Sequence, residues 1–296
     1  MTQPEAAGLV VAAHGRHYAV RLADGRVIDC FPRGKKSTLA CGDRVAVELS
    51  GTDQGVVVRI EPRSALLWRS DAFREKLIAA NVTRVVAVVA TEPGFADELL
   101  SRCLVAAESQ RLKATIVLNK TDLADRLGPA RERLQPFVQA GYPVVALCAR
   151  TNAEPLRSML QGETSILVGQ SGMGKSTLVN ALVPDAGAAT REISRALDSG
   201  KHTTTLSRLY ALDARSSLID SPGLQVFGLH HVALAEVERG FPEFAPHLGR
   251  CRFRDCRHEA EPGCALREAV SDGALNARRF EHYRAIRAEL EQVSRR

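Results

Sequence analysis

No stretch of this sequence is apolar for long enough to cross a bilayer. The longest unbroken runs, such as Val85 to Ala90, fall far short of the about 20 residues that a membrane helix needs. The N-terminus, MTQPEAAGLV, has no basic region followed by an apolar one, so no secretory leader is expected and the cytoplasm is the default. Internal repeats, low-complexity tracts and long linkers are also lacking. Lysine is scarce: seven of the forty basic residues are Lys and thirty-three are Arg. With so much Ala beside them, that bias fits genome composition as well as selection for binding. Cysteines number seven, an odd count, and a cytosolic setting disfavours disulfides. Cys30, Cys41, Cys103 and Cys148 lie among apolar neighbours and read as buried small hydrophobes. The other three cluster with a histidine near the C-terminus.

What is present describes an ordinary globular chain. Its 296 residues, 45% hydrophobic and 25% charged, suffice for two or three domains with modest cores. A net charge of +6 permits a polyanionic partner, but the excess is spread along the whole chain, so charge argues only weakly for nucleic acid.

Three stretches differ in character. Residues 1–62 hold five short β-type runs, Gly8–Ala12, Tyr18–Leu22, Val27–Phe31, Arg44–Leu49 and Gly55–Ile60, with turn signals between them. They predict a small β-barrel, an OB-fold being the natural candidate and an SH3-like barrel or sandwich the alternative. Residues 63–231 alternate strands with helices. Val85–Ala90, Thr115–Leu118, Pro143–Leu147, Ser165–Val168, Leu206–Leu212 and Ser216–Ile219 read as strands, with helical spacing over Leu99–Ser109 and Ala130–Ala140. This predicts a doubly wound α/β sheet. Residues 232–296 turn helical, with Leu275, Phe280, Tyr283, Ile286 and Leu290 near helical spacing.

The middle stretch carries the chemistry. Gly169-Gln170-Ser171-Gly172-Met173-Gly174-Lys175-Ser176, with Thr177 after it, follows a predicted strand and opens a predicted helix. That is the context a phosphate-binding loop needs: its glycines let backbone N–H groups converge on phosphates at the positive end of a helix. Lys175 then reaches the β- and γ-phosphates as a catalytic residue, and the Ser176 hydroxyl coordinates Mg²⁺. The bland alternative is a glycine-rich turn with an exposed lysine.

Asn119-Lys120-Thr121-Asp122 ends another apolar strand. An Asp there can accept hydrogen bonds from guanine N1–H and the exocyclic amino group. Adenine offers no such donor pair and would leave the carboxylate unpaired. Lys120 would lie along the base, and Asn119 would tie this loop to the phosphate loop. Asp220-Ser221-Pro222-Gly223 fits D-x-x-G, with Asp220 on Mg²⁺ through water and the Gly223 N–H sensing the γ-phosphate. Thr203, Thr204 and Thr205 occupy the place of the Mg²⁺-binding switch I threonine, with the choice among them open. Cys148-Ala149-Arg150 stands where a Ser-Ala-Lys guanine loop would be. In Ras-like proteins the phosphate loop comes first and N-K-x-D late; here the order is reversed, so the α/β unit is circularly permuted and switch II leads straight into the C-terminal stretch.

Cys251, Cys256, His258 and Cys264 supply three thiolates and an imidazole within fourteen residues. Such a set suits a closed tetrahedral structural Zn²⁺, one per chain. Unrelated buried cysteines are the alternative, disfavoured by the polar neighbours Arg252, Arg254, Asp255 and Arg257.

Taken together, the barrel, NKTD, GQSGMGKST, GKHTTT, DSPG and CRFRDCRHEAEPGC resemble the ribosome small-subunit-dependent GTPases, the RsgA (YjeQ) family, over essentially the whole chain. The resemblance implies an rRNA-binding OB-fold, a permuted GTPase domain and a C-terminal zinc domain; Arg33, Lys35 and Lys36, near one turn of the expected barrel, would offer the RNA-facing surface. It also implies a role in late maturation of the small ribosomal subunit, with GTP and GDP, the subunit and its rRNA as partners, no membrane, and a monomer. Leu224 follows D-x-x-G where Ras-like proteins keep a water-orienting Gln. His202 is the substitute we expect, and the resemblance points the same way; turnover should then be slow without a partner. The rival readings are an ATP-using P-loop kinase, which gives Asn119 and Asp122 no role, and a GTP-gated RNA-binding scaffold that does not hydrolyse.

Overall fold

The computed structural model describes residues 5–34, 38–70, 75–183, 186–187, 207–221 and 227–294. The expected switch residues His202, Thr203, Thr204, Thr205, Gly223 and Leu224 lie outside the described residues, as do Lys35 and Lys36.

The first five strands are β1 (Glu5–His14), β2 (His17–Leu22), β3 (Val27–Pro32), β4 (Arg44–Leu49) and β5 (Gln54–Ile60). Their inward positions are β-branched or aromatic, including Val10, Tyr18, Val20, Ile28, Val45, Val47 and Val57, and these form a separate small core. Pairing runs β1-β2-β3-β5-β4 and closes through β1 and β4, with β3 and β5 parallel. A closed five-stranded barrel of this kind is the OB-like arrangement rather than an open sandwich. β1 is long enough to serve two structures. Its first half pairs with β4, its register shifts between Val10 and Ala12, and its last residues reach the next sheet.

That next sheet is built from β8 (Arg84–Ala90), β9 (Lys113–Asn119), β10 (Val144–Ala146), β11 (Thr164–Val168), β12 (Ser207–Ala211) and β13 (Ser217–Asp220). Its order is β10-β9-β8-β11-β13-β12, parallel except for β12. The helices are α1 (Asp97–Ser109), α2 (Ala124–Gln139), α3 (Glu154–Leu160) and α4 (Lys175–Leu182). β8 is buried on both faces, which explains its unbroken run of Val and Ala. The chain leaves β8 toward β9 but leaves β11 toward β13. The crevice between their carboxyl ends is therefore the place where open α/β sheets bind ligands.

Two elements depart from the sequence pattern. α2 begins at Ala124 rather than Ala130, so Pro129, which the sequence pattern leaves just outside the helix, lies within it together with Pro136. A hairpin, β6 (Leu66–Ser70) with β7 (Glu75–Ala80), occupies a stretch with no clear alternation. It joins barrel to sheet: the Ala80 N–H donates to the Cys41 carbonyl at 2.8 Å, and Ser70 bridges to Leu229.

The C-terminal stretch holds α5 (Leu234–Arg239), a 3-10 turn at Pro242–Phe244, α6 (Ala265–Ser271) and α7 (Ala277–Ser294). All five apolar positions read from the sequence are buried, from Leu275 to Leu290. Arg279, only 1% exposed, fixes this layer on α1 and α2. It pairs with Glu243 at 2.7 Å, donates to Ser101 Oγ at 2.9 Å and sits 4.5 Å from the Phe241 ring and 4.9 Å from the Phe137 ring. A buried charge so fully partnered orients two layers, although it contributes little net stability.

Candidate functional site

The phosphate loop links β11 to α4 as expected, and its glycines are required. Gly169 has φ 149° and Gly174 has φ 90°. A side chain at the first would run into the Val88 carbonyl, and one at the second into the Asn119 amide. Lys175 is buried, and its Nζ donates to the carbonyls of Gly169 and Gln170 at 2.8 and 3.0 Å. The lysine is thus held folded across the loop.

Asn119 joins three loops. Its Nδ2 donates to the Met173 carbonyl at 3.0 Å, while its Oδ1 accepts from the N–H of Lys120 at 2.8 Å and of Ala149 at 3.0 Å. The tie to the phosphate loop is the one read from the sequence. The bond to Ala149 adds the Cys148-Ala149-Arg150 loop to the same knot. Lys120 takes φ 60°, its carbonyl accepts from Thr91 Oγ1 at 2.8 Å, and its Nζ donates to the Glu92 carbonyl. The Thr121 N–H donates to the Leu147 carbonyl.

These loops enclose a cleft of about 670 Å³, lined by Asn119, Lys120, Asp122, Cys148, Ala149 and Arg150 at one end. Ser171, Gly172, Gly174, Lys175, Ser176, Thr177, Asp220 and Ser221 line the rest. Gly169, Gln170, Met173 and Thr121 are absent from that lining and hold the loops instead. Asp220 ends β13 with one carboxylate oxygen, Oδ1, buried and without a hydrogen-bond partner. Burial pushes its pKa up, with the Lys175 and Arg208 charges opposing. Burial likewise depresses Lys175, against the pull of Asp220. A half-buried carboxylate with an orphaned oxygen beside a Ser hydroxyl is a fitting donor set for a hard cation.

In the C-terminal part, the four residues Cys251, Cys256, His258 and Cys264 offer ligand atoms that all lie within 4.8 Å of one another. His258 Nδ1 is 3.2 Å from Cys264 Sγ and 3.6 Å from both Cys251 and Cys256 Sγ. A tetrahedral zinc centre separates such atoms by about 3.5–3.8 Å. Burial raises the thiols of Cys256 and Cys264 above their ordinary range, a cost that a bound cation would remove. The residues fit a metal ion.

A family model described as RsgA GTPase matches residues 60–230. The small ribosomal subunit biogenesis GTPase RsgA of Paraburkholderia phytofirmans is 53% identical over 298 residues, spanning 97% of this chain and 94% of its own. The crystal structure of YjeQ from Thermotoga maritima superposes with a TM-score of 0.74 at 30% identity, covering 97% of this chain and 99% of that one. YloQ, described as a circularly permuted GTPase, gives 0.69 at 27% identity, covering 98% and 96%. The chain belongs to the RsgA GTPase family. It is an α/β GTP hydrolase of permuted order, flanked by an OB-like barrel and a mainly helical C-terminal part.

Of the two readings of Cys148, the core hydrophobe gives way to the guanine-loop position: unlike Cys30, Cys41 and Cys103 it is half-buried and lines the cleft. One feature of the RsgA-type cleft carries no sequence signal. Arg208 lines the cleft from β12, directly across the ladder from Asp220, with its Nε buried and unpartnered. No motif marks it; only the strand register places it there. Arg33, expected on an RNA-facing turn, pairs with Glu48 at 3.0 Å and stays 66% exposed.

Proposed function

We propose that this cleft binds guanine nucleotide with Mg²⁺ and hydrolyses GTP in the service of late small-subunit maturation. The observation that supports it most is the Asn119 knot, because a single buried amide holds the base, phosphate and guanine loops in one relative position. Asp122 accepts from the guanine edge, Lys120 covers the base, and the N–H groups of residues 169–177 bind the phosphates. Lys175 leaves its two loop carbonyls for the β- and γ-phosphates. Ser176, Asp220 and one of Thr203 and Thr204 hold Mg²⁺, which supplies charge neutralisation for the leaving phosphate. Gly223 senses the γ-phosphate and His202 orients the attacking water.

The Cys251, Cys256, His258 and Cys264 set holds one structural zinc. The matched span, 60–230, supports a division into a barrel at 1–62, a GTPase domain at 63–231 and a zinc domain at 232–296. The relatives' name supports the small ribosomal subunit as partner, reached by the barrel through rRNA. The protein acts as a cytoplasmic monomer; among the described residues no helix is long and apolar enough to cross a membrane.

Competition between GTP and ATP, followed by phosphate release with each ribosomal subunit added separately, tests this reading. Preference for ATP would remove it. Leu224, in place of a Gln, favours a second reading in which GTP gates RNA binding without turnover; it predicts tight GTP binding and no phosphate release with either subunit.

A further inference from the structure

The two nitrogens of His258 face opposite surroundings. Nδ1 looks at the three thiols, 3.2–3.6 Å away. Nε2 lies 3.3 Å from Glu238 Oε1. A neutral imidazole carries one proton, and the nitrogen that binds a metal must keep its lone pair free. We propose that Glu238 is the positioning residue of the metal centre, accepting the Nε2 proton of His258 and so leaving Nδ1 to the ion. The inference rests on the metal reading of the Cys/His cluster and names the group that completes it.

Glu238 is itself fixed for this task. Its Oε1 accepts from Tyr283 Oη at 2.9 Å and from Arg287 Nη1 at 3.0 Å, both on α7. Arg287 is steadied in turn by Glu291 at 2.9 Å. Tyr283 is fully buried and His258 is 5% exposed, so water competes little for these bonds. The ligands come from the loop 251–264, but their orienting carboxylate comes from α5. That helix also packs closely on the GTPase part: a side chain at Gly240 would collide with Val105 of α1. The metal centre therefore fastens three pieces together, its own loop, α7 and the helix that follows switch II. Outer carboxylates of this kind raise the basicity of the ligating imidazole and typically change metal affinity 10–100-fold.

The test uses the full chain. Zinc affinity is measured by competition with a chromophoric chelator for wild type, Glu238→Gln, Glu238→Ala and Tyr283→Phe, with GDP binding as the check on folding. We expect Glu238→Ala to weaken zinc roughly 10–100-fold, with a smaller loss for Glu238→Gln and Tyr283→Phe, all at unchanged GDP affinity. In the Co²⁺-loaded protein, the His258 Nε2–H should exchange slowly with water in wild type and rapidly in Glu238→Ala. Zinc affinity within about twofold of wild type in Glu238→Ala and Tyr283→Phe, with the Nε2–H still slow, overturns the proposal and leaves Glu238 a structural partner only. A wild-type chain that binds no stoichiometric zinc would instead sink the metal reading itself.

Discussion

Asn119 uses both ends of its amide to hold loops together, Nδ2 donating to Met173 and Oδ1 accepting from Lys120 and Ala149. Truncation to Ala should therefore weaken GDP and GTP binding alike, and it should lower stability by about 1–3 kcal/mol, because the Ala149 N–H and Met173 carbonyl lose their partner. Denaturant unfolding alongside nucleotide titration checks both. Asp122 has the opposite character: it is exposed on the cleft wall and enters no described hydrogen bond through its side chain. Asp122→Asn should cost at least about 10-fold in GTP affinity and shift preference toward xanthosine triphosphate, since an amide donates where the 2-oxo group accepts. Unchanged preference for GTP in a competition assay would refute that role. The N-K-x-D loop and the phosphate loop were legible because each needs fixed residue types at fixed spacing. Arg208 was not, because its place depends on pairing across from Asp220, and Cys148 supports two readings because its apolar neighbours resemble core while its distance along the chain from N-K-x-D fits the guanine loop. Arg208→Ala, removing a cleft cation beside Asp220, should raise the GTP Kd more than the GDP Kd; equal changes would exclude a part in reading the terminal phosphate.

Among elements, the strands of barrel and sheet were readable from their Val- and Ile-rich runs between turns, with β4 matched at both ends and no described end displaced by more than three residues. The β6–β7 hairpin was not, because its strands mix charge and apolar residues without alternation, and its position is fixed by long-range bonds such as the Ser70 N–H to the Gly228 carbonyl at 3.1 Å. That contact leads to the segment just after switch II, where Ser70 Oγ also lies 2.9 Å from His231 Nδ1 and the Trp68 ring packs tilted against the same imidazole, centroids 4.6 Å apart. Burial depresses the His231 pKa to about 4, so the ring stays neutral at physiological pH and keeps the contact independent of charge. The proposed zinc loop makes a further prediction at this scale. Cys256→Ser should release the ion and loosen the C-terminal layer, lowering the thermal midpoint, because small metal domains draw much of their folding free energy from the metal. Metal analysis of the native chain showing no stoichiometric zinc would contradict it. In the switch I segment, His202→Ala should lower stimulated turnover while leaving GTP affinity nearly intact, since its proposed part is confined to the transition state. If affinity falls as far as rate, the histidine is structural.

At the scale of the whole molecule, permutation decides what the nucleotide can move. In sequence, switch II lies between β13 and α5, the helix that carries Glu238 and packs on α1. A change at the γ-phosphate is therefore adjacent in sequence to the metal-bearing layer, while β1 ties the barrel to the same sheet through its pairing with β12. The barrel is thus joined to the sheet by backbone pairing and the C-terminal part by chain continuity, which suits the proposed completion of the site by a large partner. The measurement that tests this most directly is phosphate release from GTP against increasing concentrations of small or large ribosomal subunits, at two salt levels. It is run with wild type and with Arg33, Lys35 and Lys36 replaced together by alanine. The account predicts marked stimulation by small subunits only, weakened steeply by salt because phosphate contacts release counterions, and reduced in the triple variant. Equal rates with and without small subunits would contradict it.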